Sequence, residues 1–404
     1  MNLTITRHLF LAPCCLLLFL PMTIRAADPL FDKTNLFEAR KDGYAHYRIP
    51  GIVVTAKGSV LAYCEARKRV ASDWGTIDIL MRRSTDEGKT WGQRKKIVTP
   101  PKDIKKNPAA VAQGLGDSDE VTMNNPVAII DHESGTTHFV YCAEYARCFY
   151  MRSDDDGVTW SNPVEITSTF EAFRKKGYAW KVLATGPGHA IKTTKGRIIV
   201  PVWMSTGTGG HAHRPSVNSV IYSDDSGKSW HAGDIVSGEH RPKNPSETLV
   251  IELANGDVML NYRHESFGHG RAVTVSSDGA TNWSPIRFDD NLPEPICMGA
   301  ILRLTSKPKA KRNRILFCNP NNPIDRQRRN VTVKLTYDEC KTWPISKSIE
   351  PGVSGYSDLA AGPDGTIYCF YERGSVEASH YDTEALCVAR FNLEWLTEGI
   401  DHGE

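Results

Sequence analysis

Ser84-Thr85-Asp86-Glu87-Gly88-Lys89-Thr90-Trp91 is the first of five octads of the form Ser-x-Asp-x-Gly-x-Thr-Trp, and their recurrence decides the fold. The pattern returns from Ser153 to Trp160 and from Ser223 to Trp230, where Ser229 replaces the threonine. Two weaker copies run from Ser276 to Trp283, with Ala280 at the glycine position, and from Thr336 to Trp343, with Cys340 there. Their starts lie 53 to 70 residues apart, a period suited to a supersecondary unit of several strands. Out of phase with them run pairs of apolar, β-rich stretches joined by short turns at Lys57-Gly58, Lys195-Gly196, Asn255-Gly256 and Asp364-Gly365. Looser turns fall at Glu133-Ser134-Gly135 and within 307–313. Each reads as a β-hairpin. Six hairpins, five followed by an octad turn, give about four strands per unit: an all-β chain, a six-bladed β-propeller with four-stranded antiparallel blades. Segments near the two chain ends are expected to share a blade, because closing the ring removes exposed sheet edges. Only 169–176 reads as a helix. The octads themselves are structural: Ser and Asp bond turn backbone, Gly takes the positive φ, and Trp packs between strands.

Working outward, the 404 residues carry 49 Lys+Arg against 47 Asp+Glu and 40% hydrophobic residues, which describes an ordinary globular chain and excludes disordered or collagenous classes. Arg7 and His8 precede an apolar run from Leu9 to Met22 that ends in Ile24-Arg25-Ala26, the shape of a secretory signal. The run is interrupted by Pro13 and Pro21 and is shorter than the roughly 20 apolar residues a membrane-spanning helix needs. Residues 1–26 therefore read as a removable signal peptide and 27–404 as one domain, secreted or periplasmic, with no integral membrane segment. Arg7 and Arg25 leave with the signal, so the remainder is formally neutral and a nucleic-acid partner is not expected. Cys14 and Cys15 leave as well. Eight cysteines remain, of which Cys142 and Cys148 are the closest pair, and spacing alone fixes no disulfide connectivity. No CxxC pair or regular Cys/His array argues for a metal.

With its octads and the motif Tyr47-Arg48-Ile49-Pro50, the chain resembles the exo-α-sialidase (neuraminidase) superfamily, from about Tyr44 to Trp395. The octads alone do not establish function, because such propellers bind or cut different ligands. The site residues that the resemblance implies are present in order. Sialic acid carries a carboxylate on its anomeric carbon, and planar, always-charged donors suit a fixed anion. Arg48, Arg263 and Arg328 match the three arginines of the family. Arg326 and Arg329 flank the third, and a one-residue slip would exchange the roles of Arg328 and Arg329. A carboxylate nucleophile would meet the substrate's own negative charge, whereas a neutral tyrosine would not, and sialidases are among the glycosidases that use tyrosine. Tyr356 matches that nucleophile. Glu247, 16 residues before Arg263, matches its base. Asp73, 25 residues after Arg48, matches the proton donor, with Asp78 as the local competitor. Glu372 would hold Arg48, and Arg67 would line the same end of the pocket.

The loop Gly207-Thr208-Gly209-Gly210-His211-Ala212-His213-Arg214 finds no place in the resemblance. A Gly-rich loop over a propeller mouth contacts substrate more often than metal, so no metal or other cofactor is expected. The resemblance implies hydrolysis of terminal sialic acid from glycans, glycoproteins or glycolipids by a monomer, with retention through a tyrosyl intermediate. Action on a deaminated or other nonulosonic acid, transfer to a sugar, and sialoglycan binding without catalysis remain alternatives on the residues alone.

Overall fold

The computed structural model describes Met1, residues 27–69, 72–117, 119–208, 210–238, 240–268 and 270–377, then 379 and 381–403. Apart from Met1, the expected signal peptide lies outside them, as does Gly209. Among the described residues the chain is all-β, with strands arranged in five sheets. All six expected hairpins form. Val54 pairs with Val60, Ile130 with Thr137, Lys192 with Ile198, Glu252 with Val258, Thr305 with Arg314 and Ala361 with Ile367.

Each octad closes the strand before it and turns the chain toward the next. Ser84 ends Ile77–Ser84, and the strand Lys95–Lys96 then returns along it. In that turn Ser84 Oγ bonds Asp86 Oδ1 at 2.7 Å and accepts Gly88 N at 2.9 Å, while Asp86 accepts Thr90 N at 2.9 Å. Gly88 has φ 76°, a conformation without steric cost for a residue lacking Cβ. The weak copies reach the same turn differently. Gly279 takes the left-handed conformation one residue earlier than the expected glycine position, whereas Cys340 adopts it at that position despite its side chain.

The largest sheet has seven strands, and its centre is the 17-residue strand Ile345–Ala361. The first part of that strand pairs with Arg329–Thr336, and the part from Ser354 onward pairs with Ile367–Arg373. Two four-stranded antiparallel arrays thus share one strand. The chain ends meet in this sheet, where Phe31–Glu38 runs antiparallel to Ala385–Phe391. Apolar clusters fill the spaces between sheets. Val127 and Val140 of one sheet, Val200 and Val220 of the next, and Leu260 of a third belong to one continuous buried cluster.

The expected helix is a 3₁₀ turn, Thr167–Phe170, followed by an α-helix, Glu171–Lys175. Two short helices are additional, so 169–176 is not the sole helical stretch. Pro108–Val111 is capped by Asn107, whose side chain accepts Ala109 N at 2.8 Å, and Leu393–Thr397 by Asn392, which accepts Trp395 N at 3.0 Å. Neither is long enough to display a helical period. No described helix is long and apolar enough to cross a membrane. All eight described cysteines are buried and unbridged, and Cys142 faces Cys148 across a strand pair.

Candidate active site

A cleft of about 320 Å³ opens where strand ends from several sheets converge. Arg48 enters it from strand His46–Val54, at a point where pairing with Val60–Arg67 is irregular between Arg48 and Gly51. Arg67 ends that partner strand, Arg263 directly follows Val258–Tyr262, and Arg328 directly precedes Arg329–Thr336. Glu247 stands just before Thr248–Glu252, and Tyr356 lies in the long shared strand where its register shifts between Ser354 and Ser357. All of these, together with Asp73, line the cleft. Glu372 does not line it but stands behind it in Ile367–Arg373.

The tyrosine is held from three sides. Its hydroxyl donates to Glu247 Oε1 in a very short hydrogen bond and accepts Arg263 Nη1 at 2.7 Å. The same Arg263 nitrogen donates to Glu247 Oε2 at 2.6 Å, which closes a triangle of acid, phenol and guanidinium. Arg48 and Arg328 each place their guanidinium carbon 5.0 Å from the Tyr356 ring centre. Burial and the neighbouring Glu247 push the phenol's pKa well above its ordinary value, against the pull of the three arginines.

Glu372 organises this floor from behind. Its carboxylate accepts Arg48 Nε at 2.9 Å and Nη2 at 3.3 Å, a fork that fixes the guanidinium plane, and it also accepts the backbone N–H of Ile49 and of Tyr356. Burial opposes its charge, but Arg48 and Arg328 outweigh that and hold the carboxyl below its usual range. Arg328 donates Nη2 to Ile296 O at 2.7 Å, while its Nη1 and the Nε of Arg263 are buried with no partner among the described residues. Buried guanidinium N–H groups of this kind beside an open cleft can donate to an anion that enters it. The neighbouring arginines turn elsewhere. Exposed Arg329 pairs with Asp325 at 3.1 Å, and Arg326 donates to Ser266 O.

Asp73 stands at the rim with its side chain 46% exposed, and accepts Arg67 Nη1 at 2.7 Å. Burial disfavours its charge, yet Arg67, His213 and Arg48 prevail and hold its pKa well below the usual carboxylate range. Asp78 is placed apart, bonded by Tyr44 Oη at 2.7 Å and paired with Lys96 at 2.5 Å, outside the cleft lining.

Several residues in or beside the cleft had no role assigned from the sequence. Glu65, fully buried, binds Arg67 through Nε at 3.1 Å and Nη2 at 2.6 Å and also accepts Asn125 N at 2.9 Å. Its place one residue before Ala66-Arg67 was the available signal. His213 packs its ring between Trp74, Tyr145 and Trp203, with centroid distances of 5.4, 4.9 and 5.2 Å. Burial lowers its pKa to about 4, which keeps it neutral near pH 7. His211 accepts His213 N at 3.1 Å, and no group of three or more His, Cys, Asp or Glu among the described residues is arranged to hold a metal. Tyr381 adds an aromatic wall, its ring centre 5.0 Å from the Arg328 guanidinium carbon.

The profile of the BNR repeat-like domain family matches residues 58–369. The chain is 29% identical over 392 residues to a sialidase of Micromonospora viridifaciens, covering 91% of this chain and 55% of that protein. It is also 29% identical over 352 residues to a sialidase of Bacteroides fragilis, covering 83% of this chain and 61% of that protein. It therefore spans little more than half the length of these two relatives. Among solved structures, the Hadza microbial sialidase Hz136 superposes with a TM-score of 0.73 at 26% identity, over 90% of this chain and 69% of that one.

Proposed function

The chain belongs to the BNR repeat-like domain family and to the exo-α-sialidase superfamily, and on that premise we propose that it is a secreted or periplasmic exo-α-sialidase, a retaining glycoside hydrolase. In this reading residues 27–404 form one monomeric six-bladed propeller, the shared strand Ile345–Ala361 serving two successive blades. The substrate is a terminal sialic acid on a glycan, glycoprotein or glycolipid. Its carboxylate sits on Arg48, Arg263 and Arg328, where the unpaired N–H groups of Arg263 and Arg328 receive it.

The observation that carries the reading is the triangle of Tyr356, Glu247 and Arg263. A phenol with a raised pKa is a poor nucleophile unless a base takes its proton as it attacks, and Glu247 already accepts that hydrogen bond. Tyr356 Oη attacks the anomeric carbon while Asp73 protonates the departing glycosidic oxygen. Water then attacks the tyrosyl intermediate, with Asp73 as base, and the phenol recovers its proton from Glu247. Two displacements at one carbon retain its configuration.

The test is release of free sugar from α2,3-, α2,6- and α2,8-linked sialosides by the purified protein, with the anomer formed first read by NMR. Initial appearance of the α-anomer supports the mechanism. Initial release of the β-anomer would exclude the tyrosyl intermediate, and binding without release would assign the chain to sialoglycan recognition.

A further inference from the structure

The stretch 104–122, between the first octad unit and strand Met123–Ile130, carries no motif that entered the reading of the site. Within it Lys106 is almost wholly buried, its side chain 5% exposed. An ammonium has three protons to place, and here each has an acceptor. Nζ donates to Trp74 O at 2.6 Å, to Glu120 O at 3.3 Å and to Glu144 Oε1 at 3.3 Å. The shortest of the three falls on the carbonyl of the residue directly after Asp73. The next peptide is tied as well, since Thr122 Oγ1 donates to Gly75 O at 2.7 Å. Glu144 is fixed in turn, accepting Thr122 N at 2.7 Å and Asn107 N at 3.3 Å.

Burying a lysine and a glutamate together costs desolvation that their attraction repays only in good geometry, so such a pair is weak evidence for stability alone. What the pair does visibly is set the path of the backbone at Trp74. The side-chain anchor of Asp73 is Arg67, and an ion pair loosens when its carboxylate takes a proton. At the moment of proton transfer, the backbone on either side therefore decides where the Asp73 carboxyl stands. We propose that Lys106 is a positioning residue for Asp73: through the Trp74 carbonyl it fixes the far side of the acid loop so that the protonated carboxyl meets the departing oxygen. This rests on the reading of Asp73 as the proton donor.

The test compares two substrates in the full chain, a sialyllactose, whose leaving group is a sugar alkoxide, and an aryl sialoside, whose activated phenolate needs little protonation. Lys106→Met is measured beside Lys106→Met/Glu144→Gln, which removes both buried charges and spares the fold an unpaired carboxylate. A misplacement near 1 Å can cost about a hundredfold, so kcat/KM on sialyllactose, which reports the first displacement alone, should fall by roughly tenfold or more, while kcat/KM on the aryl substrate stays within about threefold. Asp73→Ala is run in parallel. If Asp73→Ala lowers kcat/KM on both substrates equally, the proton-donor reading itself fails. If Asp73→Ala separates the substrates and neither Lys106 variant does, whether through parallel losses, unchanged rates or failure to fold, Lys106 is structural and the inference is overturned.

Discussion

Arg67 Nη1 donates to Asp73 Oδ1 at 2.7 Å while Nε and Nη2 of the same guanidinium hold Glu65. One buried cation is thus shared between a carboxylate wholly out of water and one with nearly half its side chain in it. The arrangement keeps Asp73 ionised in the free protein, although its proposed role requires a proton. In the proposed complex a substrate carboxylate would resolve the conflict by neutralising part of the field of Arg48, one of the groups that depress Asp73, and by displacing water from the rim. Binding of a non-hydrolysable sialic acid analogue should therefore be accompanied by net proton uptake that grows as pH is lowered from 7 to 5. Calorimetry in buffers of different ionisation enthalpy measures this directly. Asp73→Asn should abolish the uptake, and equal uptake in that variant would place the titrating group elsewhere.

Tyr356→Phe removes one oxygen and leaves its surroundings intact. Arg263 and Glu247 remain paired at 2.6 Å, and Glu372 still accepts the backbone N–H of residue 356. The variant should melt near the wild-type temperature and lose at least about a hundredfold in kcat, since the proposed nucleophile is gone. Mass spectrometry after treatment with a fluorinated sialosyl fluoride should place the label on Tyr356 in the wild type. A label on Glu247 or Asp73 would replace the tyrosyl mechanism with a carboxylate one.

The proposed anion site separates arginines that the sequence leaves ambiguous. Arg263→Lys exchanges a planar fork for a point charge and also loosens Glu247, so kcat/KM should fall by about 10- to 100-fold. Arg329→Ala removes an exposed ion pair with Asp325 and should change kcat/KM by less than about twofold. Arg328→Ala should resemble Arg263→Lys. Loss on Arg329→Ala with an active Arg328→Ala would move the third anion contact by one residue.

The hairpins were legible because Lys-Gly, Asn-Gly and Asp-Gly turns sit between strands whose apolar residues need burial, and register follows from the turn. The seven-stranded sheet was not. Glu350-Pro351-Gly352 reads as a break, yet the strand runs through it, because Pro351 falls where pairing shifts from Val331 opposite Glu350 to Arg329 opposite Val353 and no ladder N–H is required. Among residues lining the cleft, those with distinctive neighbours in the chain, such as Arg48 and Tyr356, could be picked out through the resemblance. Glu65 could not, since an acid inside a strand declares its partner only when the partner's side chain is placed. His213 was equally hidden, because a glycine-rich loop has no periodicity and its contacts with Trp74, Tyr145 and Trp203 come from three separate segments.

A second buried pair, His189 with Asp358, ties strands beside the site, and the raised His189 pKa predicts stability that falls as pH rises. His189 Nδ1 lies 2.6 Å from Asp358 Oδ1, and Asp358 Oδ2 accepts Ile52 N at 2.9 Å, so the pair ties three strands together two residues beyond Tyr356. Burial disfavours the charged imidazole, but Asp358 and the Ile301 carbonyl overcome it and raise the His189 pKa above its ordinary value. A group whose pKa rises on folding contributes stability that is complete below its unfolded pKa, about 6.5, and is lost as pH rises through the folded value. His46, His138, His211 and His213 have lowered pKa values, so their contributions change on the acid side of about 6.5, away from the window in which His189 acts. Between pH 6.5 and 8.5 the melting temperature of the wild type should fall more than that of His189→Gln, by at least about 1 °C. The glutamine variant should be less stable at pH 6.5 and approach the wild type at pH 8.5. Parallel melting curves across that window would show that His189 is neutral throughout and that its bond to Asp358 carries no proton-linked stability.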